Sequence, residues 1–71
     1  MRRAWIARDK DKQVFMFFGE KPTKDFLCKC WNNSIFDYRH ISEDVLPEGV
    51  NPKWRDTEPI EVEITIKAKE V

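Results

Sequence analysis

From residue 60 to residue 69 apolar and polar side chains alternate without a break. Ile60, Val62, Ile64, Ile66 and Ala68 fall on one side, and Glu61, Glu63, Thr65, Lys67 and Lys69 on the other. A period of two is the pattern of a half-buried strand, and no helical repeat gathers these residues on one stripe. Pro59 just ahead of them can open a strand, where a missing N–H removes no ladder bond. The chain is thereby committed to a sheet. The aliphatic side of this ribbon is expected to close over the bulky rings of the first half, with the charged side in water.

The rest of the chain supplies partners for it. Residues 2–8, with Trp5, Ile6 and Ala7 at their centre, and residues 13–18, with Val14, Phe15, Met16, Phe17 and Phe18 in unbroken succession, predict two strands. The polar stretch Asp9, Lys10, Asp11, Lys12 between them predicts a hairpin with a loop of about four residues. A continuous apolar run such as 14–18 suits a strand covered on both faces. Residues 25–31 are expected to form a third strand, with Phe26, Cys28 and Cys30 on one face and Leu27, Lys29 and Trp31 on the other. Asn32 and Asn33 tolerate positive φ and should turn the chain into a short fourth strand, 34–39. Ser42 followed by Glu43 and Asp44 predicts at most one helical turn over 42–46, stopped by Pro47. Trp54 is expected to pin the extended connection to the sheet. The predicted fold is mainly β: one small domain, residues 1–71, built as an antiparallel sheet of four to five strands, curled or barrel-like around an aromatic core.

Size sharpens this. A chain of 71 residues buries only about 60% of its unfolded surface, so a few large side chains must make the core. Nine aromatic residues supply them. The 13 basic and 13 acidic residues cancel overall but not locally: residues 1–40 carry +4 and residues 41–71 carry −4. The halves are expected to pair and neutralise each other across strands; the alternative is a basic face turned towards a polyanion. No apolar run is long enough for a membrane span, and the two early arginines precede no signal-like apolar stretch. The cysteines are too few for a disulfide framework, and two thiols that need no partner make the cytoplasm the expected location.

Three constellations bear on chemistry. Cys28, Cys30 and His40 form a possible soft-ligand set for zinc, although a C-x-C spacing and the lack of a fourth ligand fit a structural site poorly. A disulfide between the two cysteines is not expected, because alternate residues on a flat strand hold their Cβ atoms too far apart. Burial as small core residues is the plainer reading of both. His40 has no nucleophile at a telling spacing, the chain has no phosphate loop or nucleophile elbow, and Glu61 and Glu63 share their face with Lys67 and Lys69; a catalytic centre and a cofactor are not expected. Finally, Trp5, Trp31 and Tyr38 lie among Arg3, Arg8, Lys29 and Arg39, the ingredients of a sheet face that stacks single-stranded nucleic acid. That requires the rings to face water, whereas a chain this small needs most of them inside.

The order of landmarks is also informative. Trp5-Ile6-Ala7-Arg8-Asp9-Lys10-Asp11, then Phe17-Phe18 and Lys21-Pro22, then Leu46-Pro47, Trp54-Arg55-Asp56-Thr57-Glu58-Pro59 and the alternating strand together resemble a group of short β-rich proteins of gut bacteria and their prophages or other mobile elements. The resemblance implies a small bacterial or phage-borne accessory protein and carries over no activity, cofactor or catalytic residue. The reading preferred from sequence is therefore a non-enzymatic interaction module. It would use an exposed strand edge or aromatic patch to bind an unidentified protein partner or a second copy of itself. Single-strand nucleic-acid binding is the alternative, and a small zinc site the second alternative.

Overall fold

The computed structural model describes residues 2–64. Within them lie six strands: β1 (Arg2–Arg8), β2 (Val14–Phe18), β3 (Thr23–Asp25), β4 (Cys30–Asn32), β5 (Tyr38–Ile41) and β6 (Ile60–Ile64). The sole helical element among the described residues is the 3-10 turn Glu43–Val45, where the serine and acidic residues predicted it. The Ser42 hydroxyl does not cap that turn; it donates to the Asp44 carboxylate instead. Strands β5-β2-β1-β6 form one antiparallel sheet and β3-β4 a two-stranded ribbon, so the mainly β architecture is as expected.

Register decides which side chains share a face, because residues paired across antiparallel strands point the same way. Ala4 pairs with Phe18 and Val62, and Ile6 with Met16 and Ile60, which makes one face mainly aliphatic, with Phe18 as its ring. Trp5 pairs with Phe17, Ala7 with Phe15, Phe17 with Tyr38 and Phe15 with His40, which makes the other face aromatic. On the aromatic face Ala7 and Phe17 are buried under Trp31 of β4, with Trp5, Phe15 and Trp54 packed around them. The small ribbon thus lies over the large sheet, and Trp54 is the anchor that the sequence predicts. On the aliphatic face Ala4, Ile6 and Val14 are buried, and the Arg8 guanidinium, on this same face, binds the Pro52 carbonyl at 2.8 Å.

This placement corrects one expectation. The strand β6 exists, and Glu61 and Glu63 are exposed as its alternation requires, but Ile60, Val62 and Ile64 join the aliphatic face. The rings of Trp5, Phe15 and Phe17 lie on the opposite side, with Trp31 and Trp54, and only Phe18 shares the face of β6. The reason is register: Ile60 opposite Ile6 sets every second residue of β6 on the side away from Trp5 and Phe17. The predicted continuation of this strand through residues 65–69 lies outside the described residues.

Charges meet across the two halves of the chain. Arg3 contacts Glu61 at 3.3 Å, Lys21 contacts Glu58 at 2.5 Å, and Arg8 contacts Glu43. Each pair joins a cation of the first forty residues to an anion of the rest, but only Arg3–Glu61 does so across paired strands; Lys21–Glu58 joins two loops, and Arg8–Glu43 joins β1 to the 3-10 turn.

Two other boundaries differ from expectation. Residues 25–31 are not one strand but the end of β3, a four-residue turn and the start of β4. The strand expected over 34–39 begins only at Tyr38. Asn33 explains the delay. It is buried, its amide Nδ2 donates to the carbonyls of Phe18, Glu20 and Asp37 at 3.1–3.3 Å, and its Oδ1 accepts from the Asp37 N–H at 3.1 Å. The positive φ in this turn belongs to Phe36 (53°), not to either asparagine.

Candidate functional site

The turn between β3 and β4 departs furthest from its sequence pattern. Asp25 folds it: its Oδ1 accepts the backbone N–H of Leu27 at 2.9 Å and of Cys28 at 3.3 Å, an aspartate-nucleated turn. Lys29 takes left-handed backbone, φ 57°, and returns the chain to β4. The bend brings the Cα atoms of Cys28 and Cys30 to 5.4 Å, and the two sulfurs are joined in a disulfide. The expectation of separate thiols assumed a flat strand, where residues two apart stand about 6.6 Å apart. The turn removes that premise, and with it the free-thiol argument for a cytoplasmic location.

As a staple this disulfide is weak. On the chain-entropy account, closing a loop of three residues is worth about 1.6 kcal/mol, against about 3 kcal/mol for fifteen. Other bonds hold the tip in place. The Lys10 N–H donates to the Lys29 carbonyl at 3.2 Å, the Trp31 N–H to Asp9 Oδ1 at 3.0 Å, and the Trp31 indole N–H to the Arg8 carbonyl at 3.1 Å. Between the β1–β2 turn and the tip lies a cleft of about 390 Å³ lined by Asp9, Lys10, Asp11, Cys28, Lys29 and Cys30. On its other flank the tip is tied by Lys24. The Lys24 ammonium lies 4.4 Å from the Trp54 ring centre and 5.1 Å from that of Trp31, and it donates to the Trp54 carbonyl and to the Asp56 carbonyl at 2.7 Å.

Burial pushes the Asp9 carboxyl above its ordinary value of 3.8; the Trp31 N–H opposes this and the Asp11 charge adds to it. A carboxyl raised in the folded state holds its proton more tightly there than when unfolded. Its contribution therefore favours folding most below 3.8 and is lost as pH climbs through the raised value. Asp9→Asn keeps an acceptor for the Trp31 N–H and carries no charge to bury. The variant is expected to be more stable than the parent at neutral pH, with the gain vanishing in acid. Urea midpoints between about pH 3 and pH 7 check this.

The tip presents large apolar side chains to water. Leu27 is 97% exposed and Phe26 is 74% exposed, the latter resting edge-on against Trp54 with ring centres 6.1 Å apart. Ile35 and Phe36, in the connection from β4 to β5, are also exposed. Sequence reasoning placed Phe26 and Leu27 on opposite faces of a strand and so missed them as a surface pair. The one signal in the chain was Asp25, a turn former directly ahead of them.

The residues named from sequence are scattered. Trp31 is 4% exposed and belongs to the core, whereas Tyr38 is open. Trp5 is half-buried on the aromatic face, where Arg3 is turned towards Glu61. Arg8 and Arg39 lie on the other face, and Arg8 is occupied by Pro52, the Lys12 carbonyl (2.7 Å) and Glu43. Lys29 stands in the tip. These seven residues do not form one stacking surface. His40 sits on β5 with its ring 5.4 Å from that of Phe15, while Cys28 and Cys30 are bonded to each other. Among the described residues no group of three His, Cys, Asp or Glu side chains is gathered as a metal ion would need.

No protein-family model, curated protein or solved structure matches the chain. Among the described residues no helix is long and apolar enough to cross a membrane.

Proposed function

We propose that the protein is a small non-enzymatic interaction module, of bacterial or phage origin, that docks through its Phe26–Leu27 tip onto a second copy of itself. The observation that carries this reading is the near-complete exposure of Leu27 on a turn that is otherwise tightly held. Large apolar groups on a fixed turn lose little conformational entropy when covered, which is what makes a good anchor. Charge permits self-docking. Lys10 and Lys29 stand beside Asp9 and Asp11 at the tip, and the chain carries no net charge to drive copies apart.

Light scattering and sedimentation over a concentration series test it. The parent chain is expected to dimerise in the micromolar to submillimolar range. Covering Leu27 is worth about 1.5–3 kcal/mol, so Leu27→Asp should weaken association roughly 10- to 100-fold. Its unfolding midpoint should barely move, because the side chain packs on nothing in the monomer. A strict monomer throughout, or a dimer indifferent to Leu27→Asp, overturns the reading.

A further inference from the structure

We infer that the Cys28–Cys30 pair is a reversible thiol–disulfide exchange site for dithiol substrates, such as peptides with a pair of cysteines. This inference rests on the disulfide and its surroundings and stands apart from the self-docking reading. Three observations carry it. Cys28 is exposed and Cys30 half-buried, and both line the cleft against the β1–β2 turn, so an incoming thiolate has access to one sulfur more than to the other. The amide Nδ2 of Asn32, held on β4, stands 3.4 Å from the Cys30 sulfur and 3.9 Å from that of Cys28. It can donate to the sulfur that leaves. And the turn is folded by Asp25 and fastened by Lys10, Asp9 and Trp31 through bonds that do not involve either sulfur, so the pair can open without releasing the tip. Exposed disulfides of this kind are the labile ones. The charged groups around the pair are Lys10 and Lys29, which favour a thiolate, and Asp9, Asp11 and Asp25, which oppose it.

The exchange balances without any further reactant. A substrate thiolate attacks the Cys28 sulfur. The bond between the two protein sulfurs breaks, and its electron pair leaves on Cys30, which takes a proton from water. The substrate's second thiolate then attacks the substrate sulfur in the mixed disulfide. A new disulfide forms within the substrate, and Cys28 departs as a thiolate. The substrate has lost two electrons and the protein has gained them.

The test uses the full chain, folded, at neutral pH. Equilibration in mixtures of reduced and oxidised glutathione, quenched by alkylation and read by mass, should show Cys28 and Cys30 interconverting with the buffer while far-ultraviolet circular dichroism stays native. The oxidised chain should also convert a reduced synthetic two-cysteine peptide to its disulfide, one per chain. In the single variants, each left with one free thiol, Cys30→Ser should form a mixed disulfide with oxidised glutathione, releasing one reduced glutathione, at least about tenfold faster than Cys28→Ser, since the open sulfur is then the one that remains. A pair that resists excess reduced glutathione until denaturant is added overturns the proposal. So does reduction that unfolds the chain. Equal rates in the two variants overturn the assignment of Cys28 as the attacked sulfur. The glutathione equilibration uses only the parent chain, so it decides the matter whether or not either variant folds.

Discussion

Phe17→Ala is expected to leave the chain without a cooperative unfolding transition near room temperature. Phe17 is 1% exposed, pairs with Trp5 on β1 and Tyr38 on β5, and lies with Ala7 beneath Trp31. Its ring centre is 5.4 Å from that of Tyr38 and 6.4 Å from that of Phe15. Truncating a buried phenylalanine costs about 3–5 kcal/mol. A domain of this length has a stability of roughly 3.5–11 kcal/mol at the usual value per residue, with small domains towards the low end. The loss is therefore comparable to the whole. Tryptophan fluorescence in a urea series is the measurement: Trp31 should report a wet environment without denaturant. Phe26→Ala is the control, because its ring is mostly in water, and it should shift the midpoint only slightly.

Asn33→Asp has the second large effect, and its pH dependence identifies the cause. The native amide donates to three backbone carbonyls inside the fold. A carboxylate there has no proton to give and faces three carbonyl oxygens, so the variant should lose about 3–5 kcal/mol at neutral pH. The new carboxyl would be driven to keep its proton in the folded state. Stability should then fall as pH rises above about 3.9, the unfolded value, and be partly regained in acid where the protonated group can donate once. A loss that is the same at acid and neutral pH would mean that the side chain acts by shape and not by its donors.

Much of the large sheet could be read from the chain because pattern and environment agree there. Residues 2–8 have an apolar centre at Ala4–Ala7, residues 14–18 are apolar throughout, a charged turn separates them, and they are β1 and β2. Residues 60–64 alternate and are β6. The failures have a common physical source, which is a single side chain overriding a pattern. Phe26 to Trp31 is apolar except for Lys29 and so reads as a strand, yet one carboxylate at Asp25 accepting two backbone N–H groups turns the segment back on itself. That error hid both the disulfide and the exposed pair Phe26 and Leu27. Asn33 was recognisable as a turn former, but not as a buried hub joining Phe18, Glu20 and Asp37, because nothing in a lone asparagine marks which carbonyls will reach it. The face on which β6 lays its isoleucines depends on register alone, and a shift of one residue would have reversed it.

The strand order β5-β2-β1-β6 has a consequence for the chain as it leaves the ribosome. Strands β1, β2 and β5 can assemble once Ile41 has emerged, but the outer side of β1 waits for a neighbour that begins at Ile60. Until then the nascent sheet shows an unpaired edge with Ala4, Trp5 and Ile6 along it, an invitation to stray strands. The vulnerable interval therefore runs from the emergence of Ile41 to that of β6, and it closes only when the isoleucine-rich ribbon arrives.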